Sequence, residues 1–344
     1  MSAAYSLMGA GLHGINGVSP AVSLTLIKTY ITPVLLHGLD SVIPRETDYK
    51  TLEKYYRGLL RQIQHLPQST AKPAIYLLLG CVPAEAQLHR RILTLFRNLV
   101  ASDGTKEQEI IKRQLAMKDL DSRSFVVQIR LLLKMYALPS AFQILTNTPA
   151  KNKWKSDVKQ AVESMWFDRL KDEAKDMTTL QYMNLDACNI NQVHPVWDNI
   201  ESSTFQSYMA SIKAKLLVQR YSLTGNRCAG KKARLLCPLC ESDCETLLHF
   251  LIHCEALSED REPLITEIYN KVEVNNIPKP IQDETLLQIL LDSSYLIKSP
   301  DLQQQIEYLS RYLCFRLHNG RSIRLGGTSV YKSASGGAKN ILAR

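Results

Sequence analysis

Cys237 to Cys254 reads CPLCESDCETLLHFLIHC and has the pattern C-x2-C-x8-H-x4-C. A C-x2-C pair offers two thiolates from one tight turn, and a later His and Cys complete a tetrahedral site for Zn2+. Metal binding gives folding energy to a segment too short to bury a core of its own. Buried thiols of no special role are the plainer reading, because free Cys is often buried. Against it, four of the eight cysteines fall inside this stretch, beside a His on an apolar run. The spacing therefore predicts one structural Zn2+, with Cys237, Cys240, His249 and Cys254 as ligands. Cys244 and His253 lie in the same stretch, and on a regular helix His249 and His253 share a face, so the spacing also admits a Cys-Cys-His-His set.

Working outward on the N-terminal side, no acidic residue occurs between Ser202 and Cys240. Lys213, Lys215, Arg220, Arg227, Lys231, Lys232 and Arg234 supply seven positive charges there, with Tyr208 and Tyr221 among them. Such side chains neutralise phosphates irrespective of sequence, and aromatic rings stack on unpaired bases. A solvated helix and a loop would show the same composition. Adjacency to a metal module favours nucleic acid. The whole chain carries a net charge of +9 over 344 residues, which fits a polyanionic partner.

The rest of the chain reads as helix. Ser19-Pro20 has the form of an N-cap and first helical residue. The apolar helix behind it contains Pro33, which should kink it. Over 46–66, Leu52, Tyr55, Tyr56, Leu59, Leu60, Ile63 and Leu66 keep helical spacing, while Lys50, Lys54, Arg57 and Arg61 line another face. Another helix, near 84–101, carries His89, Arg90, Arg91 and Arg97 as a second cationic face. Further helices are expected near 105–118, 124–137, 139–146, 154–176, 204–222, 258–272, 282–297 and 300–318. The aromatic stripe of Trp154 and Trp166 reads as core rather than a stacking platform. No sustained period-2 alternation occurs, so the fold class is all-α, with a small turn or hairpin at the metal stretch. From Gly320 to Arg344 the chain is Gly/Ser-rich and basic, and a disordered tail is expected.

Several chemistries have no footprint. Gly9, Gly11 and Gly14 keep GxGxxG spacing, but no strand precedes them and the next acidic residue is Asp40, so they read as loop. HExxH, GxSxG and P-loop patterns are absent, and no Asp-Asp pair is available to hold two metal ions. The chain is therefore expected not to be an enzyme. No run of eighteen apolar residues and no signal peptide is found, which places it in nucleus or cytoplasm with reduced thiols.

Taken together, AAYSLMGAGLHGINGVSPAVSLTLIKTYITPVLLHGLD (3–40), LEKYYRGLLRQIQHLP (52–67), AIYLLLGCVPAEAQLHRR (74–91), LPSAF (138–142), WKSDVKQAV (154–162), HPVW (194–197) and the Cys-rich stretch resemble one family. It is the C-terminal third of reverse transcriptases of non-long-terminal-repeat (LINE-type) retrotransposons. The resemblance covers about residues 3–265, with a weaker echo in RYLCFRLHNGR at 311–321. It implies a thumb-like helical domain over 1–102, a connector over 103–200, a basic helix with a CCHC knuckle over 201–260, helices over 261–319 and the tail over 320–344. It also implies RNA or DNA as partner, together with the palm and endonuclease of a longer polypeptide. The family's Tyr/Phe-x-Asp-Asp motif has no counterpart here, so no catalytic residue carries over. The family pattern favours Cys254 over His253 as fourth ligand, if the helix unwinds before it. Lys50, Lys54, Arg57 and Arg61 become the candidate phosphate contacts of the thumb.

Overall fold

A computed structural model describes residues 12, 17–117, 122–200, 203–224, 236–273 and 281–327. Among these residues there is no strand; the sole extended pairing is an isolated antiparallel bridge between Leu236 and Cys244. The chain forms two compact units, Met1–Ser211 and Ile212–Arg344. No helix of the described residues is long and apolar enough to cross a membrane.

The first unit begins with α1 (Pro20–Leu26), capped by Ser19, whose hydroxyl accepts from Val22 N. Pro33 perturbs the helix one turn earlier than a simple kink would. Ile27–Ile31 forms a π turn, and α2 (Thr32–Leu35) follows. A proline ring crowds the carbonyl four residues before it, and a widened turn relieves that crowding. The Thr32 hydroxyl donates to the Ile27 carbonyl at 3.0 Å and occupies the widened turn.

Next come α3 (Glu46–Ile63), α4 (Lys72–Leu77), α5 (Ala84–Ala101), α6 (Lys106–Met117), α7 (Phe125–Met135), α8 (Ala141–Thr146) and α9 (Lys151–Lys175). The central element is α5, which packs against α3, α6, α7, α8 and α9. Its buried residues Leu88, Ile92, Leu93, Phe96 and Val100 recur at helical spacing. The aromatic stripe of α9 is core, as its spacing predicts: Trp154 and Trp166 are buried, and their indole N–H groups donate to Leu93 O and Tyr136 Oη.

The second cationic face is only partly solvated: Arg91 stays half-exposed, and the other three members are engaged within the unit. Arg90 pairs with Glu163 at 2.7 Å, Arg97 donates to Pro149 O, and His89 is buried against Tyr136 with 2.7 Å between Nδ1 and Oη. Burial pushes the His89 pKa down to about 4. Glu85, 3.9 Å from Nε2, opposes this weakly because burial raises its own pKa. A folded-state pKa below the unfolded value of about 6.5 means that the unfolded chain binds the proton. The stabilisation is complete above about pH 6.5 and is lost as pH falls towards 4, up to about 3 kcal/mol in all. All three tryptophans lie in this unit, so its unfolding can be followed by their fluorescence. His89→Phe should flatten the decline in midpoint between pH 7 and pH 5; an unchanged decline would assign it elsewhere.

Gly80 fixes the return of the chain after α9. It has φ +57°, Asn191 N donates to its carbonyl at 2.7 Å, and a Cβ there would lie 2.0 Å from the Gln192 carbonyl oxygen. His194 N donates to Leu78 O, and the Trp197 indole donates to the buried Gln64. Only glycine fits a left-handed residue pressed against backbone. Gly80→Ala should cost about 3 kcal/mol or more, read as a lowered thermal midpoint of tryptophan fluorescence. A loss under about 0.5 kcal/mol would mean that the 189–194 loop shifts freely.

The division between units falls inside α10 (Thr204–Leu217). In the second unit, a π turn over His249–His253 precedes α11 (Ser258–Glu273), α12 (Asp283–Leu291) and α13 (Pro300–Arg324). α13 packs against α11, α12 and the π turn. It runs through Gly320 to Arg324, so the expectation of disorder from Gly320 onward is corrected for its first residues. Asp260 on α11 holds this end by accepting from Arg316 and Arg324 at 2.8 and 3.1 Å. The remainder of the expected tail, 328–344, lies outside the described residues.

Candidate metal centre

The metal stretch folds as a knuckle followed by a short helical turn. Cys237 opens a tight turn in which Glu241 N donates to Cys237 O at 2.9 Å, and Cys237 N donates to Asp243 O at 2.7 Å. Glu241 closes the turn at φ +55°, a left-handed conformation that non-glycine residues adopt at a cost. Thr246 starts the next turn, its hydroxyl accepting from His249 N.

The π turn decides the fourth ligand. At 3.6 residues per turn, positions five apart point about 140° away from each other. In His249–His253 the bond runs from Cys254 N to His249 O at 2.7 Å, closing one wider turn, and Cys254 then leaves the helix with ψ 112°. The widened turn brings residues 249 and 254 nearly into line. His253 points away, with its Nε2 3.1 Å from Asp283. Cys244 sits on the bridge to Leu236 and is not part of the cluster.

As a result, single donor atoms of Cys237, Cys240, His249 and Cys254 all lie within 4.8 Å of one another and can hold one metal ion. Cys237 Sγ is 3.8 Å from Cys254 Sγ, and Cys240 Sγ is 3.3 Å from His249 Nε2. Metal–sulfur bonds of about 2.3 Å and metal–nitrogen bonds of about 2.05 Å give tetrahedral edges near 3.8 and 3.5 Å. Two edges are therefore close to their bonded lengths.

The electrostatics suit metal-linked proton release. Burial, reinforced by the Cys237 and Cys240 thiols, pushes the metal-free Cys254 thiol up to about 12. At Cys240, burial is outweighed by hydrogen bonds, those with Ser242 first, and the thiol stays below its usual value. Burial also lowers His249, favouring the neutral imidazole a metal requires. Binding must then displace thiol protons, which makes occupancy rise with pH.

Support comes from residues that local pattern does not reveal. Glu245, fully buried, accepts two bonds from Arg321 at 2.6 and 2.9 Å and two from Thr224. Burial raises the Glu245 pKa, but the Arg321 guanidinium and the Thr224 bonds hold it below the usual carboxylate range. Phe250 stacks on Tyr221, with ring centroids 5.4 Å apart. A single acid inside CETLLHF is the only sequence hint of this arrangement, and Arg321 lies 76 residues away.

The candidate nucleic-acid contacts meet different fates. Lys50 and Lys54 are exposed on α3, while Arg57 and Arg61 are half-buried, so these four keep one accessible face. Lys50 pairs with Glu46, and Arg61 donates to Leu66 O. Lys213 cannot touch a phosphate: it is 0% exposed and donates to Glu307 at 2.6 Å and to the Ser310 hydroxyl at 2.7 Å. From Ser207 to Leu217 every residue but Lys215 is buried, so this stretch of α10 has almost no solvated face for Lys213 to occupy. Lys215 and Arg220 are half-buried, and burial lowers the Lys215 pKa to about 8. Arg227, Lys231, Lys232 and Arg234 lie outside the described residues. No family model, curated protein or solved structure matches the chain.

Proposed function

We propose that the chain is a nucleic-acid-binding portion of a LINE-type retrotransposon reverse transcriptase, gripping template or element RNA without carrying the catalytic site. The observation that carries this reading is the Cys3His cluster placed directly after the acid-free basic run of 202–240. Three thiolates and one imidazole in a closed tetrahedral set suit Zn2+ in a structural role. The Lys50, Lys54, Arg57 and Arg61 face supplies a second surface for phosphates. On α1, the π turn and α2, Val22, Tyr30 and Val34 are 50–64% exposed, an apolar patch that the reading assigns to the palm of a longer polypeptide. Nucleus or cytoplasm is the corresponding compartment.

Single-stranded RNA bound through four phosphate contacts should lose about 50-fold in affinity between 50 and 200 mM salt. Fluorescence anisotropy with the zinc-loaded full chain measures this, and Lys54→Glu with Arg57→Glu should weaken binding further. A flat salt dependence would remove the reading. One observation favours a second reading, a zinc-stapled helical module that binds protein or only itself: Lys213, Arg90 and Arg97 all spend their charge internally. Unchanged RNA affinity in the Lys54/Arg57 variant would favour that alternative.

A further inference from the structure

We infer that the first unit holds a nucleotide-phosphate site in the cleft between α2, α5 and α9, apart from the basic run and the metal centre. The cleft is open to solvent and offers about 520 Å³, within the range of small-molecule sites. One face of α5 supplies its polar wall, with Arg91, Thr94 and Asn98 at helical spacing, and Lys155 on α9 completes it. The Arg91 guanidinium, the Asn98 amide and the Lys155 ammonium are donors suited to phosphate oxygens, while the Thr94 hydroxyl donates to Arg90 O at 2.7 Å and only lines the wall.

The charge there is only partly spent. Arg90 also lines the cleft but is neutralised by Glu163 at 2.7 Å. Arg91 lies 3.7 Å from Asp40, beyond hydrogen-bond length, so its guanidinium keeps donors to offer. Among the described residues no carboxylate lies within 4.0 Å of the exposed Lys155 ammonium, and Asp40 is the one acid in the lining. Pro33, Leu36, Leu95 and Val158 form an apolar wall beside these donors. A phosphate with an attached sugar and base uses both walls, whereas inorganic phosphate uses one. Thr32 and Pro33, directly after the π turn, line the cleft as well, and π turns recur at functional sites.

The choice of a nucleotide rests on the nucleic-acid reading, but the residues are different, so the two fail separately. The ligand is either a free mononucleotide or one unit of a strand. Calorimetric titration of the full zinc-loaded chain with adenosine 5′-monophosphate, and anisotropy with a short single-stranded RNA, tell these apart. Arg91→Ala with Lys155→Ala should weaken mononucleotide binding about 100-fold, and inorganic phosphate should bind far more weakly than the mononucleotide. Asp40→Asn should tighten it several-fold, an effect of opposite sign that misfolding cannot produce. A matching loss in RNA affinity marks a strand unit; a loss for the mononucleotide alone marks a free nucleotide, and a loss for RNA alone marks a strand unit too long for one nucleotide to mimic. If the double variant changes neither ligand, or Asp40→Asn weakens binding, the site does not exist, while salt-dependent RNA binding through α3 can still hold.

Discussion

Chelation is expected to release one Zn2+ per chain and to abolish hydrogen-exchange protection over 236–244, where no buried apolar side chain other than the ligands holds the knuckle. The segment 245–257 keeps part of its protection through Glu245, Phe250, Leu251 and Leu257. The knuckle has a single backbone bridge and a residue in the left-handed region, so its own hydrogen bonds hold it weakly. Structural zinc contributes on the order of 10 kcal/mol in small zinc peptides, far more than any one contact here. Cys254→Ser should lower zinc content and reproduce the loss of protection. His253→Ala should leave metal content unchanged, since His253 faces Asp283 rather than the cluster. Retention should also improve with pH, because the buried Cys254 thiol must lose its proton to bind. Elemental analysis of the two variants decides the assignment. Metal lost from His253→Ala but kept by Cys254→Ser would overturn it.

Much of the architecture was legible because it is written in local periodicity. Ser19-Pro20, the α3 face and the α9 stripe each announce a helix and its buried side within a few turns. The C-x2-C pair likewise declares its ligands. The choice between His253 and Cys254 was not legible from spacing alone, because it turns on a single wide turn that no residue pattern specifies. The fate of individual cations was hidden for a different reason. Arg90 finds Glu163 73 residues on and Lys213 finds Glu307 94 residues on, so only the fold tells a buried charge from a solvated one.

Gly320 shows the same limit from the opposite side. Glycine and a basic Gly/Ser composition argue for a helix end, yet α13 continues past it. A Cβ at Gly320 would lie 2.5 Å from Asp260 Oδ2, and that carboxylate ties down Arg324 four residues later. The space beside Gly320 is taken by the Asp260–Arg324 ion pair, so the residue sits in an ordered, occupied part of the helix. Arg321 then reaches Glu245 from the same end, linking α13 to the metal stretch.

Glu307→Gln is expected to be the most damaging single substitution in the second unit away from the metal ligands. Glu307 Oε2 accepts from Lys213 at 2.6 Å and Oε1 from Arg311 Nε at 3.1 Å, and all three residues are 5% exposed or less. The carboxylate thus balances two cations that water does not reach. Glutamine keeps the shape but removes the charge and replaces one acceptor oxygen with a donor facing a cation. Breaking a buried pair from one side costs about 3–5 kcal/mol, because the uncompensated charge cannot be resolvated without opening the core. Lys213→Met should cost clearly less: it leaves Glu307 paired with Arg311 and fills the space with an apolar stem of similar length. No tryptophan lies in this unit, so exchange protection along 300–324 and the rate of zinc loss to a chelator are the fitting readouts. Both should respond strongly to Glu307→Gln, since α13 carries Glu307 and also Arg321, which holds Glu245 beside the knuckle. Lys213→Met adds a second, independent check. Its RNA affinity should equal that of the native chain, because a side chain sealed against Glu307 meets no phosphate; a large loss of affinity in a variant that keeps its zinc would show that α10 opens to bind.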